Sequence, residues 1–324
     1  MKGSYEVAVS RRRGTKYQFT VRRNITVIRG DSGTGKTTLF DMVADHMRYG
    51  EQSGVSLQCD RPCVALTDMD WRSQLAGFQD SIVFIDEGLK DLLSHDFAQA
   101  VRGSSNYFVI IARADLPSLP YSVDEVYKIK TSGKFHSLVP MYAERGGHRY
   151  SLSAAKPKQD FSVLVTEDSK AGFQFYQARF TGSGVVCESA GSNAGVLSWL
   201  DEHRDERVFV VADGAAFGPY ADRVLKLQNE HRDTMAVCLP ESFEWLVLAS
   251  GAVRSPKIEA ALAEPSDHID GAEFMSWEQF FTKLLREEAD GTAFAYSKAE
   301  LAEAYALPQN ADKVMALIAC RNVK

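Results

Sequence analysis

Three groups of residues in this chain have types and spacings that could handle phosphate groups. The first is Gly30-Asp31-Ser32-Gly33-Thr34-Gly35-Lys36-Thr37, a G-x-x-x-x-G-K-T pattern followed by Thr38. Its glycines let the backbone wrap a phosphate chain with successive N–H groups pointing inward, and the helix that follows adds its partial positive charge. Lys36 is then expected on the β- and γ-phosphates and the Thr37 hydroxyl on Mg²⁺. The second group is Asp86-Glu87, directly after the apolar run SIVFI. There Asp86 can hold the water shell of Mg²⁺, and Glu87 can polarise an attacking water. The third is a set of acids, Glu167, Asp213 and Glu244, each at or just beyond the end of an apolar stretch. The plain alternatives are a glycine-rich turn with no ligand and polar strand ends that cap the next helix. The first of these leaves Lys36 without a purpose.

The elements that position these residues follow from hydrophobic pattern. Ile25, Val27 and Ile28 form a buried strand ahead of the glycines, and DMVADHM continues as a helix. YEVAV at 5–9 and KYQFTVR at 16–22 alternate with period two and read as a β-hairpin. Arg11, Arg12, Arg13, Lys16, Arg22 and Arg23 make this hairpin basic, either as a charged edge that resists aggregation or as a contact to a nucleic-acid backbone. NYFVIIAR at 106–113 is a further strand whose Arg113 would lie beside the phosphate loop in a parallel sheet. Arg113 could sense a γ-phosphate, contact a partner subunit, or pair with Asp115 or another acid. The stretch 123–143 closes the first domain as a strand and hairpin.

Past residue 160 the pattern becomes strand, polar turn, helix, repeated at 161–180, 185–200, 207–227 and 235–248. Strands alternating with helices argue for a parallel sheet, whose carboxyl ends share one edge and gather the acids there. EFMSWEQFFTKLLREE at 273–288 has helical apolar spacing and is expected to pack on the second domain. The last residues read as two short helices broken at Leu307-Pro308. The resulting division is 1–155, 156–290 and a helical tail, 291–324. Charge supports it: the chain is +3 up to residue 155 and −9 beyond.

No apolar run reaches the ~20 residues a bilayer requires, and MKGSYEVAVSRRR lacks the apolar core of a secretion signal. A cytoplasmic location and no membrane partner are expected. Five scattered cysteines, Cys59, Cys63, Cys187, Cys238 and Cys320, do not form a disulfide framework, and Cys59 and Cys63 lack a second pair at zinc spacing.

Residues 1–150 resemble the P-loop NTPases, with Gly30–Thr37 as Walker A and Asp86-Glu87 as Walker B. That resemblance implies ATP or GTP with Mg²⁺ as cofactors, and no guanine-specificity motif separates the two. Residues 160–250 resemble the TOPRIM (topoisomerase-primase) fold, a flavodoxin-like α/β domain. In that family a glutamate after the first strand and an Asp-x-Asp after the third bind Mg²⁺ for phosphodiester chemistry. Glu167 takes the glutamate position and Asp213 the first aspartate, while Glu244 resembles the acid that follows the fourth strand in nucleases of the OLD (overcoming lysogenisation defect) type. The second aspartate is replaced by Ala215; Asp168, Asp222 or Glu241 could substitute. The joining of both parts in one chain resembles OLD-type ATPase-nucleases, which act in defence against phage and mobile DNA. Two functions are therefore expected to compete. One is an NTP-regulated nuclease, working as an oligomer or with a partner. The other is a nucleotide-dependent switch whose degenerate second domain binds a partner without catalysis.

Overall fold

The structure is a computed structural model that describes residues 1–12, 14–67, 70–142 and 161–318. Arg13, Cys320 and the junction expected near 153–158 lie outside the described residues. The chain is mixed α/β and divides into two compact units. One is Met1–Met141 with Glu264–Ser276; the other is Tyr142–Ala263 with Trp277 onward.

The first unit runs β1 (Tyr5–Arg11), β2 (Lys16–Val21), β3 (Ile25–Arg29), α1 (Lys36–Tyr49), β4 (Val55–Gln58), β5 (Cys63–Ala65), α2 (Trp71–Gly77), β6 (Ile82–Ile85), α3 (His95–Arg102), β7 (Tyr107–Ile111), β8 (Val126–Ser132) and β9 (Phe135–Pro140). These nine strands form one sheet in the order β4-β1-β2-β9-β8-β3-β7-β6-β5. From β8 to β5 all neighbours are parallel. Every residue of β3, β6 and β7 is buried, as expected of parallel strands covered on both faces. The β1–β2 hairpin forms as its alternation predicts, and the stretch expected to be a strand and hairpin holds the β8–β9 hairpin. Their inward residues Val7, Val9, Tyr17 and Phe19 join Leu39 and Val43 of α1 in one core. Each such side chain contributes about 1.5–3 kcal/mol by leaving water. The strands β4 and β5 are too short to announce themselves in the sequence.

The sequence places no later segment in the first unit, yet residues 264–276 return to it. Gly3 N donates to Ser266 O (2.7 Å), Gly271 N to Met1 O (2.7 Å) and the Asn24 amide to Gly271 O (2.6 Å). A Cβ on Gly271 would lie 3.0 Å from both the Asn24 side chain and the Tyr107 ring, so glycine permits this close approach. Phe274 therefore belongs to this return, and the helix expected over 273–288 begins only at Trp277. These bonds are mostly to the backbone and leave no periodic trace in the sequence.

The second unit contains β10 (Val163–Thr166), α4 (Ala171–Phe180), β11 (Val186–Ser189), α5 (Asn193–Glu202), β12 (Val208–Val211), α6 (Gly218–Glu230), β13 (Met235–Cys238), α7 (Phe243–Ala249), α8 (Pro256–Ala263), α9 (Trp277–Ala289), α10 (Glu303–Ala306) and α11 (Pro308–Met315). Its sheet is wholly parallel in the order β11-β10-β12-β13. Because β11 lies on one side of β10 and β12 on the other, the connections part at the carboxyl ends of β10 and β12. Such a switch point opens a crevice between the departing loops. Among the described residues no helix is long and apolar enough to cross a membrane.

Candidate functional site

In the first unit the buried strand β3 delivers the chain to Gly30, and three glycines then take backbone angles reserved for residues without a Cβ. Their φ values are 119° at Gly30, 80° at Gly33 and 96° at Gly35. Gly35 precedes α1, whose N-terminus carries no side-chain cap. Its first-turn N–H groups are thus left for another acceptor, and their dipoles favour an anion. Lys36 folds back over the loop, donating to Gly30 O (2.7 Å), Asp31 O (2.6 Å) and Thr34 Oγ1 (3.3 Å). Thr34 in turn donates to Asp31 O (3.0 Å). Asp31, Ser32, Gly33, Thr37 and Thr38 are exposed around this ammonium, which is itself buried.

Tyr17 of β2 holds the far side of the loop. Its hydroxyl donates to Gly35 O (2.8 Å), and its ring stacks on His136 of β9 with centroids 4.7 Å apart. A Cβ at Gly35 would meet the Tyr17 oxygen at 2.6 Å. Burial raises the Tyr17 pKa, against a hydrogen bond with Thr38 that lowers it. Sequence reasoning missed Tyr17 and His136 because an inward aromatic in an alternating strand looks like ordinary core.

Asp86 leaves the end of β6, which is separated from β3 by β7. Two strand spacings, about 10 Å, part the two strands. The groups still interact: burial, Glu87 and Asp41 push the Asp86 carboxyl up, while the Glu87 N–H and the Lys36 ammonium pull it down. Asp86 Oδ1 is buried and has no hydrogen-bond partner among the described residues. Arg113, just beyond β7, pairs with Glu87 at 3.2 Å, so both residues the sequence nominated lie together on one rim. Asp115 is instead taken by Arg29, at 2.8 Å.

In the second unit β10 and β12 pair side by side, and Glu167 and Asp213 follow their carboxyl ends. Asp213 Oδ1 accepts from Phe243 N (3.0 Å), which ties it to the start of α7. Ser242 caps that helix through Trp245 N (3.1 Å), and Glu244 stands in its first turn. Ligand-type oxygens of Asp213, Glu244 and Glu278 lie within 4.8 Å of one another. Glu167 borders this group without joining it. The acid that completes the set is Glu278 of α9, which the sequence reading assigned to a packing helix. Asp168 is engaged in its own turn by Lys170 N (3.0 Å). Ala215 is buried, and neither Asp222 nor Glu241 enters the group.

The charges in this crevice are out of balance. Burial and the Asp168 and Glu278 carboxylates raise Glu167 to about 8. Burial and the three neighbours Glu167, Glu278 and Glu244 push Asp213 well above the carboxylate range, with Lys298 opposing them. Lys298 contacts Glu278 and stands 3.6 Å from Glu244. Burial works against its ammonium, yet Glu244 and Glu278 hold its pKa above the usual lysine value. Tyr296 donates to Glu244 Oε1 at 2.7 Å. The other oxygen, Glu244 Oε2, has no hydrogen-bond partner among the described residues, and the residue is only 1% exposed. An orphan carboxylate oxygen facing other acids suits a cation, so the donor set fits a hard divalent ion. Glu278, Tyr296 and Lys298 follow the last strand at irregular intervals, and no motif spacing marks them. No protein-family model matches the chain, and no curated protein sequence matches it significantly.

Proposed function

We propose that the first unit binds a nucleoside triphosphate with Mg²⁺ and hydrolyses it, and that this event controls phosphodiester chemistry in the second. The observation that carries the reading is Lys36, whose buried ammonium lies on the carbonyls of a loop held open by three positive-φ glycines. In this reading Lys36 exchanges those carbonyls for phosphate oxygens, and the uncapped first turn of α1 supplies N–H donors. Thr37 and Asp86 would hold Mg²⁺, which supplies charge neutralisation at the phosphates. Glu87 orients water from beside Arg113. In the second unit Asp213, Glu244 and Glu278, bordered by Glu167, would hold a divalent ion that activates water and stabilises charge on a scissile phosphate.

One observation favours a second reading, a nucleotide switch without nuclease activity. Lys298 already neutralises part of the acid cluster, and Ala215 stands where another carboxylate would help hold a second ion. One set of assays separates the readings. Binding and hydrolysis of ATP and GTP are measured for the wild type, Lys36→Ala and Asp86→Asn. Cleavage of labelled DNA and RNA with Mg²⁺ or Mn²⁺ is measured for the wild type and Glu244→Gln. Unchanged nucleotide binding in Lys36→Ala would sink the first half. Intact DNA and RNA under every condition, with hydrolysis retained, would leave only the switch.

A further inference from the structure

Over its β1–β2–β9–β8 part the sheet of the first unit buries one face in the core that includes α1, and its alternate residues are exposed or half-buried. Strand alternation decides what this second face carries. Tyr17, Phe19, Ile129 and Leu138 point inward, so their strand neighbours point outward. Register then aligns Lys16 with Phe135, Phe135 with Ser132, and Ser137 with Lys130, while Lys128 sits two residues before Lys130. Lys134 joins them from the turn between β8 and β9. None of the four lysines makes an ion pair among the described residues, and all are exposed. Phe135 is 55% exposed, with the Lys16 and Lys134 ammonium groups 5.8 and 5.5 Å from its ring centroid. The arginines that made the hairpin look basic are in part spent elsewhere: Arg11 pairs with Asp45 at 2.8 Å and Arg23 with buried Glu125 at 3.5 Å.

We propose that this lysine-lined face, centred on Phe135, binds single-stranded nucleic acid. Two features choose that occupant. Four unpaired cations across three adjacent strands complement a phosphate backbone, and strand spacing sets them over a patch of about 10 Å by 13 Å. The lone exposed ring has polar neighbours, so it offers no contiguous apolar area for a protein partner. Its π-face suits an unstacked base, which a duplex does not present. Lys128 also borders the phosphate loop: its Cβ is 3.8 Å from where a Cβ on Gly30 would stand. The proposal does not depend on whether the acid cluster of the second unit works as a nuclease.

The test is fluorescence anisotropy of the full chain with labelled oligothymidylate and oligouridylate of about 12 nucleotides, against a duplex of equal length. Binding is expected to fall with salt with a log–log slope of about −2 to −3, from three or four phosphates neutralised at about −0.7 each. Lys16→Glu/Lys130→Glu is expected to weaken binding at least about tenfold and flatten that slope. Phe135→Ala is expected to weaken it several-fold without changing the slope, as loss of stacking does. These positions are exposed, and unchanged circular dichroism and nucleotide binding certify the fold. Equal affinity for the duplex, indifference to both variants, or displacement by polyglutamate at matched charge would each overturn the proposal. A difference between the thymidylate and uridylate arms assigns the strand as DNA or RNA.

Discussion

The two candidate sites both lie at the carboxyl ends of parallel strands, yet they handle charge in opposite ways. At the glycine loop the charge is a single buried cation, Lys36, satisfied by carbonyl oxygens of its own loop. In the second unit three carboxylates crowd within 4.8 Å, a fourth borders them, and the cation in contact with them is Lys298. The loop is self-satisfied by neutral partners. The acid cluster is under-neutralised and carries an orphan oxygen, so a cation would relieve it. One site is built from backbone geometry, the other from side chains that only the fold collects.

The comparison breaks most sharply on removal of the loop cation. Lys36→Ala is expected to cost at least about a hundredfold in nucleotide affinity, because a charge-assisted bond to phosphate and its ammonium are both lost. Mn²⁺ binding in the second unit, followed by calorimetry, should be unchanged in the same variant. Loss of both bindings would show that the two sites are not separate.

Lys298→Met probes the other side. Lys298 is half-buried and faces the buried Glu244, so removing it leaves that carboxylate uncompensated at a fraction of the about 3–5 kcal/mol that a fully buried pair costs. Thermal melts should therefore show a drop in stability without metal, and Mn²⁺ should restore more of it than it adds to the wild type. A variant that melts like the wild type and ignores Mn²⁺ would make the cluster a plain structural ion pair.

Glu125 gives a buried acid in the first unit that does have a counterpart. Its carboxylate lies 3.5 Å from Arg23 Nε and accepts from Thr26 Oγ1 at 3.2 Å. Burial nevertheless raises it to about 7, with Asp124 adding to the rise and Arg23, Arg22 and Thr26 opposing it. An unfolded glutamate loses its proton near 4.5. Between those values the folded state holds more protons, so stability is greatest below about pH 4.5 from this group and falls as pH rises through 7. The loss is of order 3 kcal/mol at about 1.4 per pH unit of difference. Urea titrations from pH 5 to 8 should show this decline in the wild type and a flatter profile in Glu125→Gln.

The smallest effect belongs to Tyr17→Phe, which deletes the hydroxyl's hydrogen bonds to Gly35 O and with Thr38 and keeps the stacked ring. About 1 kcal/mol of stability should be lost, with a few-fold weaker nucleotide binding as the loop relaxes. An unchanged affinity would mean that the glycines and Lys36 hold the loop without this tether.

Much of the architecture was legible in the sequence. The buried run ahead of Gly30, the alternating hairpins and the four strand–helix repeats after residue 160 each carry a local period that packing must respect. The acids Glu167 and Asp213 were legible for the same reason, since each ends an apolar strand. Glu278 and Lys298 were not. They reach the crevice from α9 and the segment before α10, and their neighbours are decided by long-range packing. The return of 264–276 was equally hidden, because backbone hydrogen bonds to Met1 and Gly3 do not depend on side-chain pattern.

The sequence by itself determined the two α/β units and the loop with its lysine, because glycine positions and hydrophobic periods act over a few residues. Tertiary structure alone decided that β7 lies between β3 and β6, that Arg113 faces Glu87, and that Glu278 joins Asp213 and Glu244. It also decided that Lys128, Lys130 and Phe135 share a face with Lys16, while Arg11 and Arg23 pair with Asp45 and Glu125. Those outcomes depend on strand order, register and long-range packing, which bring together residues far apart in the chain, as with Asp213 and Glu278 or Lys16 and Phe135, and leave no local mark on it.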